Sequence, residues 1–265
     1  MPVHPQSLFL ALAGLHMTGE PTPLSGASIV GVMGKLGVGE AAARSVLQRN
    51  AAKGFVIRAK DGRKTFYTVS DRAREILLEG GRKMFIGDRA RPWDGKWTVV
   101  RIQVPESKRA LRHKVSSRLS WAGFGRLDGG TWAAPAAVDV EQILGEEACD
   151  VAPVVVYGEI QPPTTDAMLV DAFDLAEVAA QYEAFGDKWG QCAVSELTAA
   201  EALVRRVELH FDWLTLTRSD PQLPAELLPG DWPGFVQWRL FADLDEQLRA
   251  AEEPVVADFF AGELE

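Results

Sequence analysis

Apolar residues recur three and four positions apart between Pro5 and Met17, at Leu8, Leu12 and Leu15, and predict a first helix. Thr18–Ser25 is a Gly/Pro-rich turn, and Ser25 can cap a second helix through Ile29, Val32, Met33 and Leu36. After the turn Gly37-Val38-Gly39-Glu40, a third helix runs from Glu40 to Lys53 and closes at Gly54. Phe55–Arg58 and Thr65–Val69 read as strands joined across Lys60-Asp61-Gly62-Arg63, since Asp-Gly favours a hairpin. A helix from Ser70 to Phe85 follows, with Ala73, Ile76, Leu77 and Phe85 apolar and Arg82-Lys83 near its end, then a linker from Ile86 to Pro92. The order is that of a winged helix-turn-helix.

The middle of the chain alternates differently. A strand over Lys96–Val104, a helix over Glu106–Ala122, strands at Phe124–Leu127 and Thr131–Ala134 across Asp128-Gly129-Gly130, a helix over Val138–Glu147 and a strand over Val154–Ile160 give βαββαβ. That is the ferredoxin-like arrangement. Beyond Asp166 the periodicity is helical, near Leu175–Trp189, Ser195–Leu216 and Pro233–Ala251. The Pro-rich loop Asp220–Gly234 between the last two cannot be helical, and is apolar enough to pack over the helices. The expected fold is therefore α+β and multidomain: a winged helix-turn-helix with its linker helix over 1–88, a ferredoxin-like domain over 89–165 and a helical C-terminal domain over 166–265.

Charge separates these parts. Met1–Pro135 carries 22 Lys and Arg against 10 Asp and Glu, a net +12; Ala136–Glu265 carries 6 against 27, a net −21. The overall −9 and a pI near 5.1 hide a basic half suited to polyanions. No stretch approaches the roughly 18–20 apolar residues of a membrane span. The run Leu8–Leu15 has no Lys or Arg before it and is read as a core helix, not a signal peptide. Cys149 and Cys192 form no C-x-x-C pair and are expected as buried thiols in a reducing cytoplasm.

On the third helix, Ala43, Val46 and Leu47 share one face at 100° per residue; Ser45, Gln48 and Arg49 point away and Arg44 sits at the edge. Asn50 returns to within about 20° of Ala43, so its amide faces inward and needs a partner. The outward face suits base edges and phosphates. Lys53 lies at the end of that helix, and Arg58, Lys60, Arg63 and Lys64 make a basic hairpin for backbone or minor-groove contact.

Enzymatic patterns are absent. His4, His16, His113 and His210 are scattered without H-E-x-x-H spacing; there is no G-x-S-x-G elbow and no Walker A sequence. Gly123-Phe124-Gly125 with Gly129-Gly130 has the wrong spacing for a dinucleotide site. No catalytic residue, metal site or cofactor is expected.

Leu36–Arg44 running into Leu47-Gln48-Arg49 and Lys53-Gly54-Phe55, then Gly62–Tyr67, Trp93–Trp97, Leu119–Trp132, Phe173-Asp174-Leu175, Tyr182–Phe185 and the Asp220–Gly234 loop resemble the PaaX family. These are the phenylacetic acid degradation repressors of bacteria, and the resemblance covers nearly the whole chain. It implies a dimeric repressor with a winged helix, a Cas2-like central domain and a helical C-terminal domain, released by a coenzyme A thioester such as phenylacetyl-CoA. Gly39 stands where the family usually has a Ser cap. Cas2-type nucleases carry an Asp at the end of the first strand; here the strand ends Ile102-Gln103-Val104-Pro105-Glu106, so no nuclease is expected.

The expected function is a cytoplasmic homodimeric repressor of a phenylacetate operon on a palindromic duplex operator. Arg44, Ser45, Gln48, Arg49 and Lys53 would lie on the reading helix, and Arg58, Lys60, Arg63 and Lys64 on the wing. The thioester would meet Trp97, Arg101, Lys108, Arg112 and Trp121, where basic and aromatic residues gather. The alternative is a winged-helix adaptor that binds a protein through its acidic half without reading DNA.

Overall fold

The computed structural model describes residues 4–19, 23–84, 93–160 and 171–263; the expected linker Ile86–Pro92, Phe85 and the side chains of Arg82 and Lys83 lie outside them. The chain forms two compact units. One comprises Met1–Phe85, Ala184–Thr217 and Phe235–Glu265, the other Ile86–Glu183 and Arg218–Gly234.

The first unit begins with α1 (Pro5–His16), β1 (Leu24–Ser25), α2 (Gly26–Lys35), α3 (Glu40–Ala52), β2 (Val56–Asp61), β3 (Lys64–Val69) and α4 (Asp71–Met84). Each boundary has a local cause. Ser25 Oγ accepts from the Ala27 N–H at 3.2 Å and starts α2. Gly54, at φ 68°, lets the chain leave α3, and Gly62, at φ 56°, turns the hairpin. Ser70 Oγ accepts from Ala73 N at the start of α4. The sheet order is β1-β3-β2, antiparallel throughout, with Arg58 opposite Tyr67 and Lys60 opposite Thr65.

Helices α8 (Leu175–Trp189), α9 (Ala199–Ser219), α10 (Pro233–Glu252) and α11 (Val256–Ala261) follow later in the chain. One apolar core joins Phe9 and Leu12 of α1, Ile29 and Met33 of α2 and Val46 and Leu47 of α3 to Leu203, Val204 and Val207 of α9 and Phe259 of α11. Beside it lies a partly buried polar network around the buried Glu252. Arg206 donates to Asp245 at 2.7 Å and to Glu252 at 2.5 Å, and His210 Nε2 lies 2.7 Å from the same Asp245 oxygen. Trp213 stacks on Phe241 with ring centres 4.7 Å apart.

The second unit contains β4 (Trp97–Arg101), α5 (Arg109–Trp121), β5 (Gly125–Asp128), β6 (Thr131–Ala134), α6 (Val140–Leu144), α7 (Glu147–Val151) and β7 (Val154–Gly158). All its strand pairs are antiparallel, in the order β5-β6-β4-β7. Val100, Ile102, Trp132 and Ala134 meet Val115, Leu119, Val140 and Leu144 in its core. Phe173 lies over Gly125, where a Cβ would come within 2.6 Å of the ring and would displace it. The Pro-rich loop buries Leu223 and sets Trp232 edge-on against Tyr182, whose hydroxyl donates to Asp220 at 2.5 Å.

Three expectations change. The helix expected over Val138–Glu147 spans only Val140–Leu144, because Gly145 at φ 57° ends it, and a second short helix over Glu147–Val151 follows. Cys149 is exposed and Cys192 half-buried, so neither is a buried thiol. Ile76, placed on the apolar side of α4, is exposed.

Candidate nucleic-acid interface

Helix α3 buries Ala43, Val46, Leu47 and Asn50 and exposes Arg44, Gln48 and Arg49, with Ser45 half-buried between. Asn50 is 4% exposed, and its amide exchanges hydrogen bonds with Gln6 at 3.0 and 3.2 Å while donating to the Val46 carbonyl at 2.8 Å. Gly39 offers no side-chain cap to the helix start. On the outward face, Arg49 donates to Ser45 Oγ at 3.2 Å. Arg44 directs Nε and Nη2 at Glu40 Oε1, at 2.8 and 2.6 Å.

A cleft of about 360 Å³ lies between this face and the hairpin. Ser25, Gly26 and Ala27 at the start of α2 form one wall, and Arg44, Leu47 and Gln48 of α3 another. Arg58, Arg63, Lys64, Thr65 and Tyr67 of the hairpin and Gly262 complete it. Three guanidinium groups and one ammonium converge here with the N-terminus of a ten-residue helix. Such donor-only groups suit an anion, and planar forks suit phosphate in particular.

Five of the nine residues expected to meet DNA, Arg44, Gln48, Arg58, Arg63 and Lys64, are thus brought into one lining. Ser45, Arg49 and Lys53 continue along α3 outside it. Lys60 instead borders an apolar groove of about 570 Å³ with Ala59, Phe66, Phe260 and Ala261. Two participants escaped the sequence reading. Glu40 was legible as an acid four residues before Arg44. Gly262 was not, because nothing local ties it to a hairpin nearly two hundred residues earlier.

The residues expected to hold the thioester are dispersed in character. Trp97 is 1% exposed, packed against Trp93 and Phe173; Trp121, the last residue of α5, is 84% exposed. Arg112 donates to the Val104 carbonyl at 3.2 Å, while Arg101 and Lys108 are exposed. Lys114 and Arg118 both clasp Glu147, and the Lys114 hydrogen bond leads the causes that hold this carboxyl below its ordinary range. Among the described residues, no group of three or more His, Cys, Asp or Glu could hold a metal ion, and no helix is long and apolar enough to cross a membrane.

Three family models match consecutive parts of the chain: PaaX-like protein over residues 4–73, PaaX protein central Cas2-like domain over 90–169, and PaaX-like protein C-terminal domain over 173–258. The chain belongs to the PaaX family. Among PaaX proteins, the transcriptional repressor PaaX of Escherichia coli (strain K12) is 28% identical over 273 residues, covering 97% of this chain and 84% of the relative. The uncharacterised protein Rv0674 of Mycobacterium tuberculosis shares the fold, with a TM-score of 0.64 at 20% identity over 94% of this chain and 97% of that one. The PaaX models span α3 and the whole hairpin; Ala261, Gly262 and Glu263 lie beyond their last matched residue.

Proposed function

We propose that this chain is a DNA-binding transcriptional regulator: a homodimeric, cytoplasmic PaaX-type repressor that holds a palindromic operator of a phenylacetate operon until an aryl-CoA thioester such as phenylacetyl-CoA releases it. The observation that carries this reading is the basic cleft joining the outward face of α3 to the hairpin. We read the first seven elements as a winged helix and the β5-β6-β4-β7 sheet as ferredoxin-like, within a division at 1–88, 89–165 and 166–265.

Gln48 and Arg49 face bases in the major groove, with Ser45 and Lys53 on the flanking backbone. Arg44 leaves Glu40 for a phosphate, and Arg58, Arg63 and Lys64 follow the backbone with Lys60 behind them. The thioester's phosphates are assigned to Arg101, Lys108 and Arg112 with Trp121 beside them, and the buried Trp97 contributes through packing alone. No residue is assigned to catalysis.

The test is fluorescence anisotropy of a duplex from directly upstream of this chain's own gene, at physiological salt, with and without phenylacetyl-CoA. Tight binding that the thioester abolishes is expected. Arg49→Ala should weaken it by about 1–3 kcal/mol, and Arg44→Ala should weaken it and lower its salt slope by about one. Unchanged affinity in both would remove α3 from the reading role, and binding no better than to a scrambled duplex would remove the operator.

A further inference from the structure

At the rim of the basic cleft the chain meets its own C-terminal turn. Helix α11 ends at Ala261, Gly262 turns the backbone at φ 74°, and Glu263 follows. The fully buried Phe259 anchors this turn, its ring 5.3 Å from that of His16. Gly262 sits so close to Ser25, the cap of α2, that a Cβ there would lie 2.4 Å from Oγ. On the other side, the Ala261 carbonyl accepts from Lys64 Nζ at 3.1 Å, and a Glu263 carboxylate oxygen faces the same ammonium at 3.8 Å. One short turn therefore touches the first helical wall of the cleft and the wing together.

The oxygens around Lys64 are a carbonyl and a carboxylate, the kind of group that a phosphate replaces. We infer that residues 261–263 are a built-in competitor for backbone phosphate at the wing, with Glu263 opposing DNA electrostatically. This rests on reading the cleft as the DNA-binding surface. As the duplex arrives, Lys64 exchanges the Glu263 carboxylate for a phosphate. The displaced carboxylate stays within a Debye length of about 8–10 Å of the DNA backbone and repels it. The exposed pair contributes little to folding by itself. Its effect is felt when the polyanion is present, so this acid regulates affinity and its dependence on salt.

The experiment uses the full chain and the upstream duplex, with affinity measured by anisotropy across a series of salt concentrations. Glu263→Gln should bind about threefold more tightly at low salt, the scale of a surface ion pair, with the advantage fading as salt rises. Its plot of log affinity against log salt should steepen by up to about 0.9, one phosphate's worth. Lys64→Gln made on top of Glu263→Gln should return the slope, and the thermal midpoint should not move. Arg63→Ala serves as the control for the cleft. If Arg63→Ala weakens binding while Glu263→Gln changes neither affinity nor slope, the competitor role is overturned. If the unaltered chain binds this duplex no better than a scrambled one and Arg63→Ala makes no difference, the cleft reading itself fails, and the inference with it.

Discussion

Asn50 is an amide in an apolar core, satisfied by a residue 44 positions earlier in the chain. Its inward direction follows from counting along α3; its partner Gln6 does not, because the pairing exists only once α1 lies against α3. The same limit applies to the buried titratable groups. Burial holds His16 near 3, well below its ordinary 6.5. Burial also raises Glu252 to about 6, against the pull of Arg206. Asp245 is pushed up by burial, but hydrogen bonds from His210 and Arg206 outweigh this and hold it at about 2. The signs are opposed. The unfolded chain protonates His16 below 6.5 while the fold keeps it neutral, so stability falls as pH falls from 6.5 towards 3. Glu252 takes up its proton in the fold first, so stability rises as pH falls from about 6 to 4.5, and the two slopes cancel there. The stability that Asp245 lends is lost below 3.8. Denaturant titrations at successive pH values should therefore show a plateau from pH 6 to 4.5 and a steep loss below it. In Glu252→Gln the decline that starts near pH 6.5 should run on through pH 6 to 4.5 without a plateau; an unchanged plateau in that variant would contradict the account.

At the scale of elements, α3 is well formed but poorly started. Gly39 already has the extended backbone of an N-cap, at φ −58° and ψ 145°, and a Cβ there would meet nothing within 4 Å. Gly39→Ser should stabilise the protein by about 0.5 kcal/mol, through one helix-end hydrogen bond and a stiffer unfolded chain. A thermal midpoint that falls instead would show the cap geometry to be wrong. The long helices and the Asp-Gly hairpin were legible because their causes are local: apolar period, caps and turn residues. The two-residue β1 was not, since it exists only through pairing Leu24 with Tyr67. Nor was the break at Gly145, because a glycine inside a helical pattern does not announce which φ it will take. In β7, the run Val154–Tyr157 read correctly as a strand, yet all four residues are exposed on the sheet's edge, which apolarity alone would not suggest.

For the molecule as a whole, the division of charge was visible in composition, and it marks the half of the chain that builds the basic cleft. The sharing of one core by both ends of the chain was not visible, because periodicity shows that a face is apolar and not what it meets. Leu203, Val204, Val207 and Phe259 pack with the residues of α1–α3. A fragment of residues 1–85 should accordingly lose cooperative thermal unfolding, as followed by circular dichroism, and with it any preference for the operator. Cooperative melting of that fragment would show the C-terminal helices to be dispensable.

The shared core also sets an order of events during translation. At about 5–20 residues per second, roughly 10 to 40 s separate the making of the hairpin from the making of Phe259. Throughout that interval α3 lacks part of the core that holds it. The basic half of the chain leaves the ribosome before the acidic half, and α11 completes a core that α1–α3 began.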